Sequence, residues 1–149
     1  MYEGLKHAHS GIRWIFLALL IYAVINAFLK WRGNKAFLEG DRKLGLFTFI
    51  TSHLQLTLGL ILYFISPKVM TFSKDMGEVM KHPTDRFFAV EHITVMILGI
   101  ILISIGYSSA KRAADSSTKF KKTFIFFLIG LILILSRIPW PPQHGSAWF

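Results

Sequence analysis

Cysteine is absent from the 149 residues, which excludes disulfides and thiolate metal sites. Proline is scarce: the five prolines stand at 67, 83, 139, 141 and 142, where long apolar runs stop or start rather than inside them. No glycine-rich phosphate loop and no nucleophile–base pair is present, so neither a kinase nor a hydrolase is expected. Acidic residues number 8 against 17 Lys and Arg, a net charge of +9 that by itself would suit nucleic acid. Their distribution argues against that partner, as shown below.

What the chain has in excess is hydrocarbon. Apolar residues make up 53% of it, with 14 Phe and 4 Trp, more apolar surface than a soluble domain of this length can bury. Four runs approach the ~20 apolar residues a helix needs to cross a bilayer. They are residues 10–29, 44–65, 87–107 and 120–138. Backbone groups in lipid must bond within their own segment, so each run reads as a helix. The expected fold is therefore all-α, one domain over 1–149, an up-down antiparallel four-helix bundle in the membrane. Ser66-Pro67 ends the second helix, Thr84 or Asp85 is the expected N-cap of the third, and Pro139, Pro141 and Pro142 end the fourth. Trp14 and Trp140 fall where interfacial anchors belong. The first run is too long for a signal peptide and no small-residue cleavage site follows it, so no cleavable leader is expected.

The basic residues orient the bundle. One loop carries Lys30, Arg32, Lys35, Arg42 and Lys43 against Glu39 and Asp41, and another carries Lys111, Arg112, Lys119, Lys121 and Lys122 against Asp115. The loop at 67–86 is nearly balanced. The positive-inside bias puts both basic loops in the cytoplasm and both termini outside, in the periplasm of a bacterial inner membrane. That accounts for much of the charge without nucleic acid; a polybasic face also suits anionic lipid.

Against this background the ionisable residues within the spans stand out, because their cost marks a cofactor, an ion path or a paired contact. His53 lies near the middle of the second helix, and His92, beside Glu91, about a turn and a half into the third. Arg13 lies a turn inside the first helix with His9 one turn further out on the same face, and Arg137 is in the last turn of the fourth. Depths this staggered do not suit a compact zinc or copper cage. Haem b tolerates them: it needs one or two imidazoles from facing helices, a slot of apolar and small side chains, and cations for its propionates. Met96 and Gly99 lie four and seven residues beyond His92, Gly59 lies beyond His53, and Arg13, Arg86 and Arg137 gather toward the outer side. The axial pair stays open. His53 and His92 differ by roughly 10 Å in depth, His9 and His92 by less, and an unused histidine leaves room for a second haem or a quinone.

Plainer readings accompany each residue. The histidines can serve as interhelical hydrogen bonds, Arg86 and Arg137 as interfacial snorkels, and Gln55 and Thr57 as helix–helix glue or as quinone contacts. Glu91 and Arg13 are expected to form a salt bridge between the first and third helices. Residues 76–80 are expected to form a short surface helix; Met70, Met76, Met80 and His82 are spaced too irregularly for a convincing copper site. His144 is expected to be exposed.

The stretches HSGIRW (9–14), HLQLTLG (53–59), RFFAVEH (86–92) and RIPWP (137–141) together resemble a family of small four-span bacterial membrane proteins named simply cytochrome b. The resemblance covers most of the chain. It implies a haem b bundle that passes electrons, with His9, His53 and His92 at the family's histidine positions. The larger cytochrome b561-type bundles share only the design of histidines on facing helices. The membrane protoporphyrinogen oxidase requires a lysine deep within the membrane, and the lysines of these spans, Lys121 and Lys122, stand only in the first turn of the fourth. The expected activity is electron transfer to or from quinone, in a larger respiratory or other membrane complex or a homo-oligomer. The competing expectation is a non-redox membrane subunit or assembly factor.

Overall fold

The computed structural model describes residues 2–66 and 75–140. It is all-helical, with no strand among the described residues. Four long helices carry the fold: α1 (Tyr2–Arg32), α2 (Glu39–Ile65), α5 (His92–Arg112) and α6 (Ser116–Ser136). Between α2 and α5 lie two short helices, α3 (Met76–Lys81) and α4 (Pro83–Arg86), followed by a π-helical turn, Phe87–Glu91. Helices α1 and α2, and the continuous stretch Pro83–Arg112, are long and apolar enough to cross a membrane. Their outward faces carry large apolar side chains such as Ile15, Tyr22, Leu29, Phe47, Phe64 and Ile101, as expected of surface in contact with lipid. Helix α6 is less uniform, because Lys119, Lys121 and Lys122 occupy its first two turns.

The helices overrun the apolar runs because polar residues extend and cap them. Glu3 and Lys6 pair across one turn at 2.7 Å, which carries α1 well before Ser10. Asp115 caps α6 by accepting from the Thr118 N–H at 2.8 Å, and Asp75 caps α3 by accepting from Glu78 N–H at 3.1 Å. Thus the short helix expected at 76–80 is present. The start expected at Thr84 or Asp85 is corrected: Pro83 takes the first helical position, where its missing N–H costs nothing, and His82 is the cap residue. Met70, Pro141, Pro142 and His144 lie outside the described residues.

Packing closes the helices into a ring in which α1 adjoins α2 and α6, and α5 adjoins α2 and α6. Helices α1 and α5 therefore face each other across the ring. Phe16, Leu17, Leu20, Ala23 and Val24 of α1 meet Ile103 of α5 and Phe127, Leu131 and Ile134 of α6 in one buried core. The α5–α6 seam is the tightest. A Cβ placed on Gly99 would stand 2.9 Å from Ile134 Cγ1, one on Gly130 3.1 Å from the Gly99 carbonyl, and one on Gly106 2.6 Å from Phe126 Cβ. In lipid, where apolar side chains gain little by meeting each other, this close backbone approach supplies the attraction between helices. At the far end of α1, buried Asp41 of α2 accepts from Asn26 at 2.8 Å and Lys30 at 2.6 Å, and from the Leu38 N–H at 3.0 Å.

Candidate functional site

The π turn is where the site begins. A π turn widens the helix by one residue and leaves the backbone ladder irregular, a feature often found at functional sites. Tyr63 of α2 donates its hydroxyl to the Ala89 carbonyl at 3.0 Å, fixing the turn against α2. The turn delivers Glu91 and His92 side by side at the head of α5. Glu91 pairs with Arg86 at 2.8 Å and with Arg137, the residue just past α6, at 3.4 Å. Both arginines are ion-pair partners of Glu91. Two of the three proposed propionate-holding arginines are thus engaged by a carboxylate of the chain itself.

His92 reaches to the end of α6: its Nδ1 is 2.7 Å from the carbonyl oxygen of Arg137. A carbonyl can only accept, so Nδ1 carries the hydrogen and Nε2 is left with its lone pair. Orientation of an imidazole through one nitrogen, with the other free to ligate, is the usual second contact of a metal-binding histidine.

His9 approaches from α1, on the opposite side of the ring. Its backbone carbonyl accepts from Gln55 Nε2 at 2.8 Å, which pins it to α2. Gly59, one turn further along α2, gives the ring room: a Cβ there would lie 3.1 Å from His9 Cε1. His9, Arg13 and His92 lie at the same end of the ring, near the starts of α1 and α5. Arg13 is itself buried, with its guanidinium 5.0 Å from the Trp14 ring centre. Trp14 in turn packs on Trp140 with ring centres 6.4 Å apart, so the two expected interfacial anchors meet each other beside the site. Two buried polar atoms here, His9 Nδ1 and Gln55 Oε1, have no hydrogen-bond partner among the described residues. Buried polar atoms left unsatisfied are costly, and they mark the positions where a bound group or water belongs.

His53 is placed elsewhere. Its Nδ1 lies 2.9 Å from the Phe49 carbonyl oxygen and its Nε2 is 3.4 Å from Ser104 Oγ of α5. Ser104 is twelve residues beyond His92, roughly 18 Å along the helix axis. His53 is six residues before Gly59, the level of His9, a separation of roughly 9 Å. Metal–imidazole bonds of about 2 Å cannot bridge the longer of these, so His53 and His92 do not share a metal. The structure brings together His9, Arg13, His92, Arg86 and Arg137, and leaves His53 apart.

The remaining site candidates from the sequence serve packing. Gly99 faces Ile134 and Gly130 on the α5–α6 seam, and half-buried Met96 packs against the core. Thr57 donates to the His53 carbonyl within its own helix, at 2.9 Å. Among the described residues no group of three or more His, Asp or Glu side chains is arranged to hold a metal ion by itself. Of the contributors that sequence reasoning missed, Tyr63 and Ser104 carry no local signal. Gln55 was noticed, but its partner on α1 was not readable. Compared with known proteins, the chain matches no family model, no curated protein and no solved structure.

Proposed function

We propose that this protein is a small membrane electron carrier of the cytochrome b kind, holding haem b between His9 of α1 and His92 of α5. The observation that carries this reading is the placement of two imidazoles from opposed helices at the same end of the ring, His9 against α2 and His92 against the end of α6. One is already oriented through Nδ1 by a backbone carbonyl, and the other has a buried Nδ1 with no described partner. The residues fit the group. His92 would ligate through Nε2; the bare Cα of Gly59 leaves the His9 ring free to turn; Arg13 supplies a buried positive charge for propionates, with Arg86 and Arg137 held nearby by Glu91. Haem b supplies one-electron transfer when bound, and the protein tunes it through ligation, burial and the surrounding charge.

The reading includes the membrane topology. Three apolar helices cross, and α6 crosses as the fourth with Lys119, Lys121 and Lys122 reaching back to the basic loop. Both termini then face the outside of a bacterial inner membrane, and the His9–His92 end lies toward that face. Quinone is the membrane redox partner this placement suits.

A second reading, a non-redox subunit or assembly factor, draws on the hydrogen bonds His53 and His92 make to protein carbonyls. The optical spectrum of the purified protein from haem-replete cells separates the two. Reduced-minus-oxidised bands of a b-type haem that are lost in His92→Ala and in His9→Ala, but kept in His53→Ala, are expected. A colourless preparation, or unchanged bands in His92→Ala, overturns the proposal.

A further inference from the structure

A groove of about 340 Å³ lies away from the His9–His92 end. It runs between α2 and α5, the sparsest of the four helix seams. Its volume is in the range of small-molecule sites. Ile101 and Ile105 on its edge are 47% and 44% exposed, so it opens on the apolar outer surface of the ring. Its wall carries an uncommon set of polar groups for such a surface: His53, Ser104 and Ser108, with Arg112 at one mouth.

The hydrogen bonds assign the proton on His53. Phe49 O lies 2.9 Å from Nδ1 and can only accept, so Nδ1 holds the hydrogen and Nε2 presents a lone pair. The nearest described polar atom to that lone pair is Ser104 Oγ at 3.4 Å. Ser104 has one hydroxyl hydrogen, and the Ile100 carbonyl at 2.8 Å competes for it with the longer contact to Nε2. Nε2 therefore has one long, shared donor, at a half-buried position in a groove lined largely by isoleucine. Ser104 is eight residues from Arg112, so this acceptor lies roughly 12 Å inward from the charged mouth. That is too deep for the phosphate of a bilayer lipid, whose charge stays at the interface. It suits an uncharged head that carries a hydroxyl donor on an apolar body.

We infer that the α2–α5 groove binds a hydroquinone-headed lipid, with a ring hydroxyl donating to His53 Nε2 and the ring and tail lying along Ile101 and Ile105. The redox meaning of this ligand rests on the electron-carrier reading above, whereas its binding does not. His53 thus has a ligand of its own, away from the His9–His92 pair.

The test uses the full chain in phosphatidylcholine nanodiscs, titrated calorimetrically under argon with a decyl-tailed benzoquinol. Its di-O-methyl ether, which has the same ring and tail but no donor, is titrated alongside. Saturable one-to-one binding of the quinol is expected, with the ether weaker by about tenfold, the worth of one buried hydrogen bond. His53→Leu should bring the quinol down to the affinity of the ether, and the Nε2 resonance of ¹⁵N-labelled His53 should shift on quinol addition alone. Equal affinity for quinol and ether, an unmoved Nε2 resonance, or no saturable binding overturns the proposal; equal affinity would mark the groove as a place for ordinary acyl chains. The comparison of quinol with ether needs no variant, so misfolding of His53→Leu would not blunt it. His92→Ala keeps the two readings apart. It should lose the pigment and keep quinol binding, and a colourless wild type that still binds quinol would sink the haem proposal while leaving this one standing.

Discussion

Asp41 offers the sharpest energetic test of how α1 and α2 are held together. Its carboxylate is buried and accepts three hydrogen bonds: from Lys30 Nζ at 2.6 Å, from Asn26 Nδ2 at 2.8 Å and from the Leu38 N–H at 3.0 Å. Asp41→Ala removes all three at once and leaves the Asn26 amide and the Leu38 N–H without this acceptor. The bond from Asn26 to the carboxylate is worth about 1.5 kcal/mol and the helix-start bond about 1 kcal/mol. The Lys30 side chain is 31% exposed, so its ion pair is discounted for solvent screening to about 1 kcal/mol. The three share one carboxylate and do not add fully, which brings the expected loss to about 3 kcal/mol. The assay is reversible unfolding in mixed micelles with increasing SDS, followed by helical circular dichroism, as a double-mutant cycle with Lys30→Met. Lys30→Met alone should cost about 1 kcal/mol, and the cycle should show a coupling near about 1 kcal/mol, since the charge left by one substitution is removed by the other. A loss under about 1 kcal/mol for Asp41→Ala, or strict additivity, would refute the claim that this cluster fastens the two helices.

Other substitutions test the seams and the helix ends. Gly106→Ala places a methyl 2.6 Å from Phe126 Cβ, where carbon contacts settle near about 3.5–4.0 Å, so α5 and α6 must part; a loss of about 1–3 kcal/mol in the same unfolding assay is expected. Gly11→Ala meets nothing within 4 Å and should go the other way, gaining about 0.5–1 kcal/mol from helix propensity; a loss there would mean α1 is not the regular helix described. Asp115, outside the apolar spans, is held below the usual carboxylate range by the Thr118 backbone N–H, which bonds the charged form. Its folded value lies below the unfolded one of about 3.9, so the cap contributes fully above that pH and is lost as pH falls through the folded value. The protection factor of the Thr118 amide, taken against its intrinsic exchange rate at each pH, should therefore fall on acidification, and in Asp115→Ala it should be low at every pH; protection indifferent to both would remove the cap.

Local chemistry settled much of this protein before any packing was known. Long apolar runs can satisfy their backbone in lipid only as helices, prolines close those runs, and short-range acceptors such as Asp75 and Asp115 start the next ones. All of this acts within a few residues, so the sequence alone determined an all-helical chain with membrane-crossing segments and singled out His9, His53, His92 and the arginines as residues needing an explanation. Partner choice was not legible, because it depends on the rotation and axial shift of each helix against its neighbours. A slide of one turn, about 5.4 Å, exchanges one set of facing residues for another without altering any local preference. Only the tertiary structure decided that Glu91 turns to Arg86 and Arg137, that Gly99 belongs to the α6 seam, and that His92 turns to the Arg137 carbonyl while His53 faces Ser104. The glycines of α5 and α6 fix that register by letting two backbones meet at one level, and the π turn before His92 sets which way its ring points.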